Sequence, residues 1–201
     1  SIAQGGFILV PFAVAPDGAG GSFVGGTFAM VNGVTRNNLA HILADGSLDS
    51  WAPEPDGAIY CVTVSGSTIY VGGEFQHIGG AARQFIAELD ATTGLATAWA
   101  PEAGNWVFGI AISGSTAYVG GAFTYIGGQA RNHIAALDIS TGLATAWDPN
   151  ADDRVQGLVV SGSTVYATGL FANIGGQARN TLAALDAAGG VATSWDPSPN
   201  G

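Results

Sequence analysis

Residues 118–147 read YVGGAFTYIGGQARNHIAALDISTGLATAW, and this pattern recurs one unit upstream and one unit downstream. Trp51, Trp99, Trp147 and Trp195 fall 48 residues apart, as do the Ser-Gly-Ser-Thr turns that begin at Ser65, Ser113 and Ser161. Arg83, Arg131 and Arg179 keep the same interval, and Arg36 is their counterpart in a looser first copy. A fixed period of this size marks a solenoid, a propeller or an array, because each unit needs its neighbours to bury its apolar faces. The copies run over about 7–58, 59–106, 107–154 and 155–201 of a single domain.

Within the third copy the pattern resolves into four short segments rich in β-branched and aromatic residues: VFGIAIS, TAYVGGAFTYI, NHIAALDI and ATAWDP. Gly-bearing turns separate them, and no helical period persists. The expected fold is all-β: a β-propeller of four-stranded antiparallel blades, in four repeats of about 48 residues. The pairs Gly25-Gly26, Gly72-Gly73 and Gly120-Gly121 fall in the second strand, where a missing side chain lets an adjacent sheet approach. The fourth copy has Thr168-Gly169 there. Two aromatic rows, Phe23/Tyr70/Tyr118/Tyr166 and Phe28/Phe75/Phe123/Phe171, read as packing between blades, with the four Trp on the outer strands.

Charged residues make up only 10% of the 201, and Gly contributes 32, so the surface must be rich in small residues. Such a surface suits export or close packing. All five basic residues are Arg, against fifteen acids, and the net charge of -10 makes nucleic acid a poor partner. The lone Cys61 rules out an internal disulfide and paired-cysteine zinc patterns. No apolar run reaches 18 residues and the N-terminus lacks a basic leader, so neither a membrane span nor an intact signal peptide is expected.

The stretch YVGGAFTYIGGQARNHIAALDISTG resembles the secreted bacterial β-propeller repeat sometimes called delta-sixty, whose units read VGG-x-F, GG-x-x-R-N and I-A-x-L. FVGGTFAMVNGVTRNNLAHILADGSLDSW, in the first copy, fits that pattern best. The resemblance covers nearly the whole chain. It implies the propeller fold and an extracellular or surface setting, and implies no activity. Kelch repeats share the Gly-Gly doublet and the distant Trp, and would give the same architecture. ALDISTGLATAW is similar to the tryptophan-docking motif of quinoprotein propellers, but its Asp-to-Trp spacing is one residue longer and no cysteine pair accompanies it, so no quinone is expected.

Chemistry needs titratable groups that converge on one pocket. His41, His77 and His133 occupy three different repeat positions, which forms no imidazole ring for a metal and leaves each as a turn or strand-surface residue. No nucleophile elbow, Walker loop or zinc helix is present, so no enzyme activity and no cofactor are expected. Seven acids gather in the links between units: Glu54, Asp56, Glu102, Asp148, Asp152, Asp153 and Asp196. Up-and-down strands bring these links to the same face as Arg36, Arg83, Arg131 and Arg179. The arginines are expected to pin blade to blade by pairing with link carboxylates or capping loop carbonyls. The competing reading is a cation- or sugar-binding face, with Asp148, Asp152 and Asp153 as the densest oxygen donors for calcium. Asp90, Asp138 and Asp186 recur before the third turn, where a side-chain bond to the turn explains them. The variable pairs Ala29-Met30, Gln76-His77, Thr124-Tyr125 and Ala172-Asn173 are where per-blade specificity would lie, and they share no polar-aromatic set that a repeated glycan site would keep.

Four blades are few for a sealed ring, and no exchanged strand locks the first to the last, although GFILVPF (residues 6–12) could supply one. An unsealed ring leaves apolar faces that stick to other copies. The expected function is therefore a non-enzymatic extracellular or cell-surface module, structural or adhesive, whose partner is itself in an oligomer or filament. The alternative is a carbohydrate- or calcium-binding propeller.

Overall fold

The computed structural model describes residues 10–197 and 199. Its regular elements are all strands, and the described residues form four blades. Blade 1 comprises β1 (Val10–Pro16), β2 (Ser22–Thr27), β3 (Met30–Val31), β4 (Val34–Thr35) and β5 (Leu39–Ile42). Blade 2 comprises β6 (Ile59–Ser65), β7 (Thr68–Gly73), β8 (His77–Ile78), β9 (Ala81–Ala82) and β10 (Ile86–Asp90). Blade 3 comprises β11 (Val107–Ser113), β12 (Thr116–Gly121), β13 (Tyr125–Ile126), β14 (Gln129–Ala130) and β15 (Ile134–Asp138). Blade 4 comprises β16 (Val155–Ser161), β17 (Thr164–Gly169), β18 (Asn173–Ile174), β19 (Gln177–Ala178) and β20 (Leu182–Asp186). Of the apolar stretch at residues 6–12, residues 6–9 lie outside the described residues. Val10, Pro11 and Phe12 belong to β1 itself, where Val10 and Pro11 pair with β2, so they form part of the first strand of blade 1 rather than an added locking strand.

Each blade is an antiparallel sheet of three long strands, such as β11-β12-β15, with a two-by-two-residue hairpin inserted after the second. The expected single second strand TAYVGGAFTYI therefore divides. After Gly121 the chain leaves the ladder, Phe123 drops into the core, and Tyr125 and Ile126 start the hairpin. The fourth strand survives as a short edge, with one bridge, Leu137↔Ala144, and a bond from Thr145 N–H to Ala136 O at 2.8 Å. Proline follows two residues after each Trp at 53, 101, 149 and 197, where it offers no N–H to extend the ladder.

Among the described residues three hydrophobic clusters fill the junctions between successive blades. The forward face of each blade contributes a trio: Phe23, Leu39 and Trp51, then Tyr70, Ile86 and Trp99, then Tyr118, Ile134 and Trp147. The rear face of the next blade answers with aliphatics such as Val107, Val119 and Leu137. Each indole donates across the junction to the carbonyl of the Asp ending the next blade's third long strand: Trp51 to Asp90 (3.2 Å), Trp99 to Asp138 (3.3 Å) and Trp147 to Asp186 (2.9 Å). Beside it, the N–H groups of Gly79, Gly127 and Gly175 donate to Pro53, Pro101 and Pro149 at 2.7 Å each.

The first glycine of each pair sets the approach distance. A Cβ at Gly25, Gly72 or Gly120 would lie 2.5 Å, 2.5 Å and 2.7 Å from the γ-methyl of Ile59, Val107 and Val155, the first residues of the next blades. Any side chain there would push the junction apart.

First strands pack on one another in the order β1, β6, β11, β16, and no comparable packing returns from β16 to β1. Among the described residues the four blades form an open arc. Trp51, Trp99 and Trp147 are 3%, 5% and 5% exposed, whereas Trp195, with no blade ahead of it among the described residues, is 44% exposed. Replacing Trp147 by Phe is expected to cost about 1–2 kcal/mol through the lost cross-blade hydrogen bond and packing. Trp195→Phe should stay within about 0.5 kcal/mol in dilute solution. Urea unfolding midpoints of the two variants provide the check, and equal losses would contradict the asymmetry.

Candidate functional site

The link face is built from blade-to-blade connections lying against the hairpins. Glu54, Glu102 and Asn150 all take a left-handed backbone in these links, with φ of 47°, 46° and 51°. Asn37 donates to Glu54 at 2.7 Å, and Asn132 to Asn150 at 2.8 Å. Asp56 accepts from the N–H groups of Gln76 and His77, at 2.8 and 2.9 Å, and pairs with His77 Nδ1 at 2.9 Å. Asp152 does the same for Ala172 and Asn173, and the Asn173 amide helps hold its carboxyl below the ordinary range. These two carboxylates order the hairpin of the following blade.

Asp148, Asp152 and Asp153, expected as the densest donor set, are not brought together. Asp148 lies 3.8 Å from Arg131, Asp153 accepts from Arg154 N–H at 2.6 Å, and Asp152 faces the hairpin. Among the described residues no three His, Cys, Asp or Glu side chains converge to hold a metal ion.

The arginines meet one part of a second expectation and correct another. They cap carbonyls as expected, but within their own blade rather than from blade to blade: both amino groups of each guanidinium bind carbonyls, while the buried Nε has no hydrogen-bond partner among the described residues. Arg36 donates to Asp49 O (2.9 Å), Arg131 to Thr145 O (2.6 Å) and Arg179 to Thr193 O (2.7 Å), and Arg83 donates to Thr97 O. The second amino group of each binds the preceding residue's carbonyl, as Arg131 does Ala130 at 2.7 Å. Arg131 and Arg179 also stand near Asp148 and Asp196, at 3.8 and 3.5 Å, so link acids and arginines do share a face. Trp51, Trp99 and Trp147, together with Thr63 and Tyr118, send hydrogen bonds across junctions.

Asp90, Asp138 and Asp186 cap their turns. Asp138 accepts from the hydroxyls and backbone N–H groups of Ser140 and Thr141, which hold its carboxyl below the ordinary range. Cys61 packs at the junction beside Gly72, and burial pushes its thiol up to about 12. The variable hairpin residues His77 and Tyr125 line two equivalent clefts of about 430 and 220 Å³ between a link and the next blade.

His41 is buried rather than on the surface. It stacks on Phe23 at a centroid separation of 4.2 Å, with Nδ1 2.7 Å from Asp49 and Nε2 3.0 Å from Asp17. The hydrogen bond to His41 is the main cause of the lowered Asp49 pKa; for Asp17 the Ala19 N–H leads and His41 follows. The nearby Trp51 lies edge-on to the imidazole at 6.5 Å.

A further aromatic row escaped the sequence-based expectations. In every first strand a β-bulge leaves one residue outside the pairing: Phe12, Tyr60, Phe108 and Gln156. Phe12 and Tyr60 rings meet at 5.6 Å and Tyr60 and Phe108 at 5.4 Å, with Trp106 6.2 Å from Tyr60. Tyr60 donates to Glu74 at 2.7 Å, and burial together with this bond pushes its hydroxyl up to about 12. Phe12 and Trp106 are exposed. The signal lay in the repeat, since positions 12, 60 and 108 are spaced by 48.

The least partnered surfaces are the two ends of the arc. Among the described residues the trio Tyr166, Leu182 and Trp195 on blade 4 has no answering blade, and Val159 beside it is 62% exposed. A shallow apolar depression there of about 230 Å³ is lined by Gly157, Leu158, Val159, Tyr166 and Thr168. On blade 1 the rear face shows Val14, 63% exposed, at the position that Val62, Ile110 and Leu158 occupy within the junctions.

With this geometry in place, comparison with known proteins gives one family match: a domain of unknown function (DUF5122) beta-propeller, over residues 23–50. No curated protein matches the chain. Among solved structures it is similar to the computationally designed Ika4 protein, with a TM-score of 0.56 at 14% identity over 90% of this chain and 94% of that one. The designed Ika8 protein gives 0.55 at 12% identity, covering 90% of this chain and 60% of its own length. The WD40 domain of Neurospora crassa Pan2 gives 0.54 at 13% identity, with 92% and 52% covered, so this chain spans about half of that one. These likenesses establish the β-propeller architecture.

Asp17, Asp49, Asp90, Asp138 and Asp152 all titrate below the ordinary 3.8 in the folded chain. Their contribution to stability is complete above the unfolded value and is lost as pH falls through the lower folded values. The unfolding midpoint is therefore expected to drop below about pH 4, and to drop less in Asp49→Asn. Urea titrations at neutral and acid pH test this; an acid-insensitive midpoint would sink it.

Proposed function

We propose that this chain is a non-enzymatic structural or adhesive β-propeller module of the extracellular space or cell surface that associates with copies of itself. One observation carries the reading: among the described residues the arc is open, and the faces that elsewhere form its hydrophobic junctions stand uncovered at both ends. Exposed apolar surface of this kind attracts a partner. The carboxylates and arginines are engaged in caps and turns, which also favours a structural role. The delta-sixty resemblance, strongest in the copy that contains residues 23–50, points toward the exported setting, as does the low charge content.

Sedimentation velocity across a wide dilution range is expected to show mass rising with concentration. A single monomeric species throughout would overturn self-association.

A second reading, glycan binding, is favoured by the bulge row, where exposed Phe12 and Trp106 flank the Tyr60–Glu74 pair. Aromatic faces beside a hydroxyl and a carboxylate suit a sugar ring. On that reading a glycan array gives hits that Trp106→Ala weakens at least tenfold; hits unaffected by the variant would place sugar binding elsewhere.

A further inference from the structure

The two ends of the arc differ in a way that selects how copies meet. At the three internal junctions the incoming blade opens with a β-branched residue, Ile59, Val107 or Val155, seated against a glycine of the preceding blade. At the forward end that glycine is replaced by Thr168, which is exposed. The residue that blade 1 would bring to it is Pro11, the counterpart of Ile59. A threonine side chain and a proline ring cannot share a space in which a single added Cβ at Gly25, Gly72 or Gly120 already lies 3.0, 3.0 and 3.2 Å from the Cβ of the incoming residue. The rear end departs as well. Ser22 stands where Ile69, Ala117 and Val165 form the buried rear faces of blades 2, 3 and 4, so one apolar contact is replaced by a hydroxyl. Both departures oppose head-to-tail stacking in the geometry of the internal junctions, and thus oppose sealing the ring or adding copies without limit.

The forward face remains apolar and well formed. Val159, Tyr166, Leu182 and Trp195 continue the surface that fills every internal junction, and Trp195 meets Tyr166 edge-on at 5.6 Å, as Trp99 meets Tyr70 and Trp147 meets Tyr118. No Asp, Glu, Arg or His stands among these four side chains and Thr168, so on a chain of net charge -10 two such faces bring no like charges together at these positions. Resting on the self-association reading above, we infer that the chain pairs through blade 4, forward face to forward face about a two-fold axis, with a second copy as the occupant. The product is a closed dimer.

The test is sedimentation equilibrium of the full chain and three variants, with melting curves to confirm folding. The wild type is expected to stop at the dimer. Val159→Arg should weaken it at least tenfold while keeping its melting transition in dilute solution, and Val14→Arg should leave it unchanged. Trp195→Gln, a milder change at the same face, should weaken it too if the Arg variant folds poorly. Thr168→Gly should release species larger than the dimer by clearing room for Pro11. A wild-type series of ever larger species, or equal weakening by Val14→Arg and Val159→Arg, would overturn the two-fold pairing and leave self-association standing. A monomer at every concentration would overturn both.

Discussion

Every junction in this protein depends on a side chain that is absent. Where Gly25, Gly72 and Gly120 face Ile59, Val107 and Val155, there is no room for a methyl group, and the sheets close to that limit. Only at this separation can each indole reach the next blade's Asp carbonyl, and the Gly79, Gly127 and Gly175 N–H groups reach Pro53, Pro101 and Pro149. The hydrophobic trio of each forward face is enclosed by the same approach. Close packing and hydrogen bonding are thus satisfied together, because a polar bond across a buried junction holds only when the flanking surfaces exclude water.

Much of this was legible in the residues. The 48-residue spacing of the tryptophans, the doubled glycines and the turn serines is a direct imprint of identical units in contact with their neighbours, so blade architecture and junction residues emerged from periodicity alone. The arginines show where that logic stops. Their spacing marked them as structural, but whether a long side chain bends toward its own blade or the next is decided by which carbonyl is closer, and Thr145 O and Thr193 O are. The link acids behave similarly. Asp148, Asp152 and Asp153 are close in sequence, yet the left-handed turn at Asn150 and the separate partners of each send them apart.

His41 shows the opposite limit. Its burial depends on Asp17 and Asp49, which approach from two different loops, and nothing local to the histidine announces either. The bulge row was hidden for a different reason. Periodicity placed Phe12, Tyr60 and Phe108 in register, but an alternating strand would have turned them onto a blade face, and only the extra residue in each first strand sets them outside the pairing.

Three filled junctions among four blades also determine how the molecule comes apart. Blades 2 and 3 are braced on both sides, while blades 1 and 4 each lean on a single neighbour, so resistance to opening is graded along the chain rather than shared equally. In such a nearest-neighbour assembly the ends detach first, and each loss exposes a new end like the one before. The protein is thereby built to fray inward by whole blades, and its middle outlasts its margins.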